Sequence, residues 1–198
     1  MLRKSLAVLA GLLITTGAWW TMPAAATVMV ELLLEDMARD ADAIVHGSVE
    51  QSGTQLALQT HGAPEPYTVT TLRVRTWFKG AGAERIVIRE QGGEWQGGGR
   101  WIDGTPWYRP GEEVVVFLRR DPERPDYYRT YGMVQGKFVV RQGVGGVPTT
   151  VRRDLGSIAF AHWTDGEMTV QQAGPEPAMQ FDALEDRILR VLSLGGGR

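Results

Sequence analysis

The strongest constraint on the fold is a series of short strand-like segments between residues 43 and 141, each bounded by turn residues. Segment 67–78 alternates apolar with polar residues, which is typical of a strand with one face in water. Further strands are predicted at residues 44–49, 54–58, 85–89, 113–119, 127–131 and 137–141. This spacing favours an antiparallel barrel or sandwich over alternating strand and helix units.

Two of these segments carry more specific information. Residues 113–119 are apolar on both faces, which predicts a central strand that is covered on both sides. Gly47 lies inside a predicted strand, where a glycine indicates a bulge or the close approach of another backbone. The dipeptide Ser52-Gly53 predicts a turn between the strands at 44–49 and 54–58.

Helical spacing occurs at both ends of the strand-rich region. The N-terminal stripe consists of Leu34, Met37, Ala38 and Ala41, and the C-terminal stripe of Leu184, Ile188, Val191 and Leu192. Apolar residues at these intervals occupy one face of a helix, so we expect a flanking helix at each end. Before the second helix, Asp165-Gly166 predicts a hairpin, and Pro175 and Pro177 indicate a linker.

Composition excludes several classes of function. The chain has no cysteine, so disulfides, thiolate metal sites and a cysteine nucleophile are ruled out. The formal net charge of -2 offers no strong positive field for a phosphate backbone, so nucleic acid is not an expected partner.

The N-terminal segment resembles a secretory signal. Arg3 and Lys4 precede a charge-free apolar run that continues into Ala24-Ala25-Ala26, the order of a signal peptide with cleavage after Ala26. The alternative is an uncleaved membrane anchor, because the run approaches the length that spans a bilayer. We expect export to the periplasm or the extracellular space, a single domain at 27–198, and no stable membrane anchor after cleavage.

An ordered set of short sequence motifs within residues 41–141 resembles a known module. These motifs are Ala41-Asp-Ala-Ile-Val45 with Gly47, Phe78-Lys79-Gly80, Pro110-Gly111-Glu112 before the strand at 113–119, and Gly136-Lys137-Phe138-Val139. They are similar to the netrin-like module of the tissue inhibitors of metalloproteinases and to a group of uncharacterised exported bacterial proteins. The resemblance implies a mainly β fold, an OB-type antiparallel β-barrel here flanked by an N-terminal and a C-terminal helix. The inhibitors act through an N-terminal cysteine, whereas this mature chain would begin at Thr27, so that mechanism does not carry over.

No catalytic motif is recognisable in the chain. His46, His61 and His162 are scattered without metal-ligand spacing, no serine lies in a Gly-x-Ser-x-Gly elbow, and residues 97–99 do not form a phosphate loop. We therefore predict no catalytic residues, no metal and no cofactor. The alternative is a small envelope hydrolase whose histidines and acids converge only in the folded chain.

The segment between Gly92 and Gly111 holds seven glycines interleaved with Trp95, Trp101, Trp107 and Tyr108. Long loops of this kind are usually functional or disordered. The four aromatic residues are our candidate ligand contacts, and the competing interpretation is that their rings cap the barrel. The sequence favours an exported, non-catalytic binding module whose partner is another envelope protein or an extracellular polymer, with a purely structural accessory domain as a further possibility.

Overall fold

The computed structural model describes residues 27–57 and 64–195. The predicted signal segment 1–26 and His61 lie outside these residues. The described chain is mainly β and contains two α-helices, α1 (Leu34–Asp40) and α2 (Phe181–Gly195), and one 3-10 helix (Met133–Gly136). Its strands are β1 (Thr27–Met29), β2 (Ala43–Ala57), β3 (Glu65–Lys79), β4 (Arg85–Gln91), β5 (Gly93–Trp95), β6 (Gly98–Arg100), β7 (Glu113–Arg120), β8 (Tyr128–Thr130), β9 (Lys137–Arg141), β10 (Thr150–Arg152), β11 (Ile158–Thr164), β12 (Glu167–Gln172) and β13 (Met179–Gln180).

Most strands belong to one eight-stranded sheet, with the order β13-β10-β9-β7-β2-β3-β4-β8. β8 also pairs with β7, so the pairings β2-β3-β4-β8-β7 lead back to β2. The β4–β8 pair is parallel and the other four pairs are antiparallel. A smaller sheet has the order β1-β11-β12, and β5 and β6 form a separate hairpin.

The predicted turn at Ser52-Gly53 is wrong. β2 is one continuous strand of 15 residues, and it pairs along its length with β3, which also has 15 residues. Ser52 lies opposite Thr70 with a hydroxyl-hydroxyl distance of 2.9 Å, and Gly53 lies opposite Val69. The local turn preference of Ser-Gly is overridden because an unbroken partner strand satisfies the backbone on this side.

Gly47 is the site of a bulge, as predicted. The register between β2 and β3 shifts between His46 and Gly47. A Cβ atom at Gly47 would lie 2.3 Å from the carbonyl oxygen of Arg73, a separation that no side chain tolerates. The close backbone approach therefore requires glycine and bends β2 at this point.

β7 is the central strand that its apolar sequence predicts. Its residues 114–118 have no exposed surface, and β7 is paired along both edges. One side of the strand packs into a cluster with the two helices, and its members include Met37, Ile44, Val115, Phe117, Leu184 and Ile188. The other side packs into a cluster within the ring of pairings, and its members include Val45, Leu72, Ile88, Tyr108, Val114 and Val116.

The predicted flanking helices are both present and pack on the same cluster. α1 buries Leu34, Met37 and Ala38, while α2 buries Leu184 and Ile188. The guanidinium of Arg187 donates to Glu35 at 2.6 Å and links the two helices. Within residues 27–57 and 64–195, no helix has the length and apolarity needed to cross a bilayer.

The predicted hairpin near the C-terminus is also present. β11 and β12 pair antiparallel from Ala159 opposite Gln172 to Thr164 opposite Glu167. Asp165 and Gly166 connect them with φ angles of 53° and 83°, the left-handed values that a tight hairpin turn requires and that Asp-Gly supplies at low cost.

Candidate functional site

A groove lies beneath the loop of residues 92–112, which we call the aromatic loop. The loop starts with the β5–β6 hairpin and then runs without regular structure to β7. Together with the outward face of β9 and β10, it encloses a cavity of about 610 Å³. Ligand cavities in proteins have volumes of about 300 to 1,000 Å³, so the groove is large enough to hold a ligand.

Two of the four predicted aromatic contacts meet at this groove. Trp101 and Trp107 both line the cavity, and their ring centroids are 4.8 Å apart with an angle of 41° between the planes. Each residue is 55% exposed. The indole of Trp101 also lies against Gly99, where a Cβ atom would come within 2.8 Å of the ring. The absence of a side chain at Gly99 therefore lets Trp101 take this position.

The other two aromatic residues lie elsewhere. Trp95 is 43% exposed on β5 and does not line the cavity. Tyr108 is buried in the cluster inside the ring of pairings, and its hydroxyl lies 2.6 Å from the hydroxyl of Thr130. Burial raises the pKa of Tyr108 well above its ordinary value. The core is thus filled by the tyrosine, while the three tryptophans remain at the surface, and their role as ligand contacts stays a prediction.

Lys137 holds the end of the aromatic loop in place. Its ammonium donates to the Glu112 carboxylate at 2.6 Å and to the carbonyl oxygen of Trp107, and it lies 4.8 Å from the ring centroid of Tyr108. Burial lowers the pKa of Lys137, and the hydrogen bond to Glu112 opposes this effect. A buried ammonium must keep such partners because it has lost its water. Lys137 therefore ties the backbone of Trp107 to β9.

A second buried polar contact lies beside the tyrosine. The backbone N–H of Thr130 donates to a carboxyl oxygen of Glu90 at 2.7 Å. Burial raises the pKa of Glu90 to about 7, although the bond from Thr130 opposes the shift. Thr130 thus contacts Tyr108 through its side chain and Glu90 through its backbone, so the strands next to the loop share one buried network.

The floor of the groove is basic because side chains along β9 and β10 alternate between two faces, and the cationic residues share the face that lines the cavity. Lys137, Val139 and Arg141 project to one side of β9, whereas Phe138 and Val140 pack in the helix-side cluster. The cations that line the groove are Arg100, Arg109, Lys137, Arg141 and Arg152, and the acids are Asp103, Glu112 and Asp154.

Two of the five cations are already neutralised. Lys137 pairs with Glu112, and Arg100 pairs with Glu65 at 2.8 Å. The other three, Arg109, Arg141 and Arg152, make no ion pair with any carboxylate in the described ranges 27–57 and 64–195. Among the described residues, these three guanidinium groups have no carboxylate partner, so each can pair with an acidic ligand.

The two described histidines, His46 and His162, lie on different sheets. The imidazole of His46 lies 2.7 Å from a carboxylate oxygen of Glu113 on the eight-stranded sheet, while His162 lies on the smaller sheet. Burial would raise the pKa of Glu113, but hydrogen bonds from Gln142 and His46 and the charge of Arg75 lower it. No group of three or more potential metal ligands occurs among the described residues. The hydrolase alternative, which requires histidines and acids to converge in the folded chain, stays a prediction.

The arginines of the groove were missed by the sequence-based search. Alternation in 137–141 places Lys137 and Arg141 on one side of a strand, and this was the available signal. The pairing of β10 with β9, which brings Arg152 to the same face, has no comparable local signal. No protein-family model matches the chain, and no curated protein matches it.

Proposed function

We propose that this protein is an exported, non-catalytic binding module whose ligand lies in the groove beneath the aromatic loop. The observation that carries the proposal is the tilted, half-exposed pair of indoles formed by Trp101 and Trp107 at a cavity of about 610 Å³. Large aromatic rings supply much of the binding energy in protein interfaces because they bury a large area with little loss of side-chain freedom.

The fold proposal is an OB-type β-barrel of the netrin-like kind. Its support is the pairing order β2-β3-β4-β8-β7, which returns to β2 and includes the parallel pair β4–β8. OB-type barrels bind extended ligands across one face and the adjoining loops. Applying this mode of binding to the present chain is an analogy from fold, so the tryptophan pair provides the main support for binding.

The proposed ligand class is an extracellular or envelope polymer. Export is supported by the basic, apolar and small-residue order of segment 1–26. The groove lies between a loop and the outward face of two strands, and this form suits a chain-like ligand whose successive units contact different residues. A purely structural accessory domain would have no need of a tryptophan pair held at the surface.

A binding panel with three tryptophan variants tests the proposal. Affinity electrophoresis of the mature chain would use dextran, laminarin, polygalacturonate, alginate and isolated peptidoglycan. We expect at least one polymer to bind, and Trp101→Ala and Trp107→Ala each to weaken that binding about tenfold, equivalent to about 1.4 kcal/mol. Trp163→Ala is the matched control because Trp163 is 61% exposed on the β11–β12 hairpin and does not line the cavity.

Two results would overturn the proposal. One is the failure of every polymer in the panel to bind the folded wild-type chain. The other is binding that survives both Trp101→Ala and Trp107→Ala at wild-type strength, because the groove would then not be the site. Circular dichroism of each variant shows whether the fold is retained.

A further inference from the structure

The three arginines of the groove that form no ion pair with a described residue, Arg109, Arg141 and Arg152, are arranged to receive a negative charge. Arg141 lies opposite Thr150 in the β9–β10 ladder, and Arg152 lies opposite Val139. The two arginines are therefore diagonal neighbours on one face, a relation in which Cα atoms are about 7 to 8 Å apart. Both line the same cavity as Arg109. Like charges so placed repel each other, and an anion bound between them would relieve the repulsion.

The carboxylates of the groove limit the kind of anion. Glu112 is occupied by Lys137, but Asp103 and Asp154 also line the cavity and make no ion pair among the described side chains. A polymer with a dense row of phosphates would be repelled by these two acids. A polymer that carries both acidic groups and hydroxyl groups suits the mixed lining, because hydroxyls donate to carboxylates while arginines bind the acid.

We infer that the groove binds an acidic polysaccharide, with a sugar ring packed on Trp101 and Trp107 and a uronate carboxylate held by Arg141 and Arg152. The inference rests on the proposed binding function and adds the class of ligand to it. An arginine guanidinium is planar and presents parallel N–H groups that match a carboxylate, so two neighbouring arginines select this group over a hydroxyl. The indole pair supplies the apolar surface for the ring.

The test compares polygalacturonate with its fully methyl-esterified form, which keeps the same sugar backbone and lacks the charge. We expect the wild-type chain to bind the acidic form at least about tenfold more tightly, and this preference to decrease as salt increases. The double variant Arg141→Ala with Arg152→Ala should lose the preference. The double variant Arg73→Ala with Arg190→Ala is the matched control, since both arginines are exposed and outside the cavity lining.

The outcomes separate this inference from the proposed function. Equal binding of the two forms, or a preference that survives the loss of Arg141 and Arg152, overturns the acidic ligand while groove binding stands. Tighter binding of oligo(dT) than of polygalacturonate also overturns it, in favour of nucleic acid. Absence of binding to either form by the wild-type chain overturns the acidic ligand, and the neutral polymers of the wider panel then decide the proposed function.

Discussion

Within residues 27–57 and 64–195, two surfaces expose tryptophan, and they differ in what holds the rings in place. Trp101 and Trp107 are each 55% exposed on the aromatic loop, and Trp163 is 61% exposed on the β11–β12 hairpin. If exposed fraction alone identified ligand contacts, Trp163 would be the first candidate. The loop pair, however, is followed directly by the buried Tyr108 and is tied to β9 by Lys137.

The hairpin has an apolar face without these supports. Trp163 lies opposite Met168, Ala161 lies opposite Val170, and every residue of β12 is exposed. Neither Trp163 nor Met168 lines the cavity beneath the aromatic loop. Exposed aromatic rings therefore form a candidate site where buried neighbours fix their position and polar groups lie beside them, as they do on the aromatic loop.

The largest expected effect is at the residue that anchors the loop. Tyr108→Ala should destabilise the protein by about 3 to 5 kcal/mol, because it removes a large buried ring from the core. Tyr108→Phe should cost about 1 kcal/mol, since it removes only the hydroxyl contact with Thr130. Urea denaturation measures both. If Tyr108→Ala were no less stable than Trp163→Ala, Tyr108 would not anchor the aromatic loop more firmly than the hairpin is held.

The next effect depends on pH and concerns Glu90, beside Tyr108. Its pKa is raised by burial from 4.5 to about 7, so the folded protein keeps a proton that the unfolded chain loses above about pH 4.5. Stability should therefore fall by up to about 3 kcal/mol as pH rises from about 4.5 to 7, and then level off. The charge of Arg129 lowers the pKa of this carboxyl and that of Asp121 raises it, while Glu90 itself helps to raise the pKa of Tyr108.

Glu90→Gln removes this titration and should stabilise the protein at pH 8 by up to about 3 kcal/mol, with little change at pH 4. Thermal unfolding as a function of pH measures the difference. Glu94→Gln is the control, because Glu94 is exposed on β5. Parallel pH profiles for wild type and Glu90→Gln would show that folding does not raise the pKa of Glu90.

A smaller effect is expected at Gly99, which supports Trp101. Gly99→Ala would place a Cβ 2.8 Å from the indole and so displace the ring. We expect a loss of about 1 kcal/mol in stability, as for other overpacked sites, and weaker polymer binding. Gly98→Ala is the control, since the nearest atom to a Cβ there is 3.7 Å away. Equal polymer binding by these two variants would contradict the assigned position of Trp101.

The smallest effect is predicted for the hairpin. Trp163→Ser should change the free energy of unfolding by less than about 0.5 kcal/mol, as expected for an exposed residue without special contacts. Polymer binding should be unchanged in the same assay used for Trp101→Ala. A loss of binding in Trp163→Ser would reverse the comparison and place the ligand on the hairpin.

Much of the fold was predictable because its strands follow from local patterns of apolar, polar and glycine residues. Alternation located β3, the apolar run located β7, and Gly47 marked the bulge. The continuous β2 was missed because Ser52-Gly53 has a local turn preference, and only pairing with β3 overrides it.

The candidate site was predictable in part. The aromatic loop was visible as a cluster of rings and glycines, but sequence could not separate the buried Tyr108 from the exposed Trp107 that precedes it. The convergence of Arg141 and Arg152 depends on the register of β10 on β9, which is a nonlocal property of the sheet.

The divided edge of β7 has a consequence for how the molecule opens. Residues 118–120 pair with β8, which belongs to the ring of pairings, and residues 114–116 pair with β9, which forms the floor of the groove. The chain thus carries two structural units on one shared strand. Local opening can release the aromatic loop or the β9–β10 floor separately, but any opening that frees β7 unfolds both units together. The amide hydrogens of β7 should therefore exchange with solvent no faster than those of the groove or of the core around it.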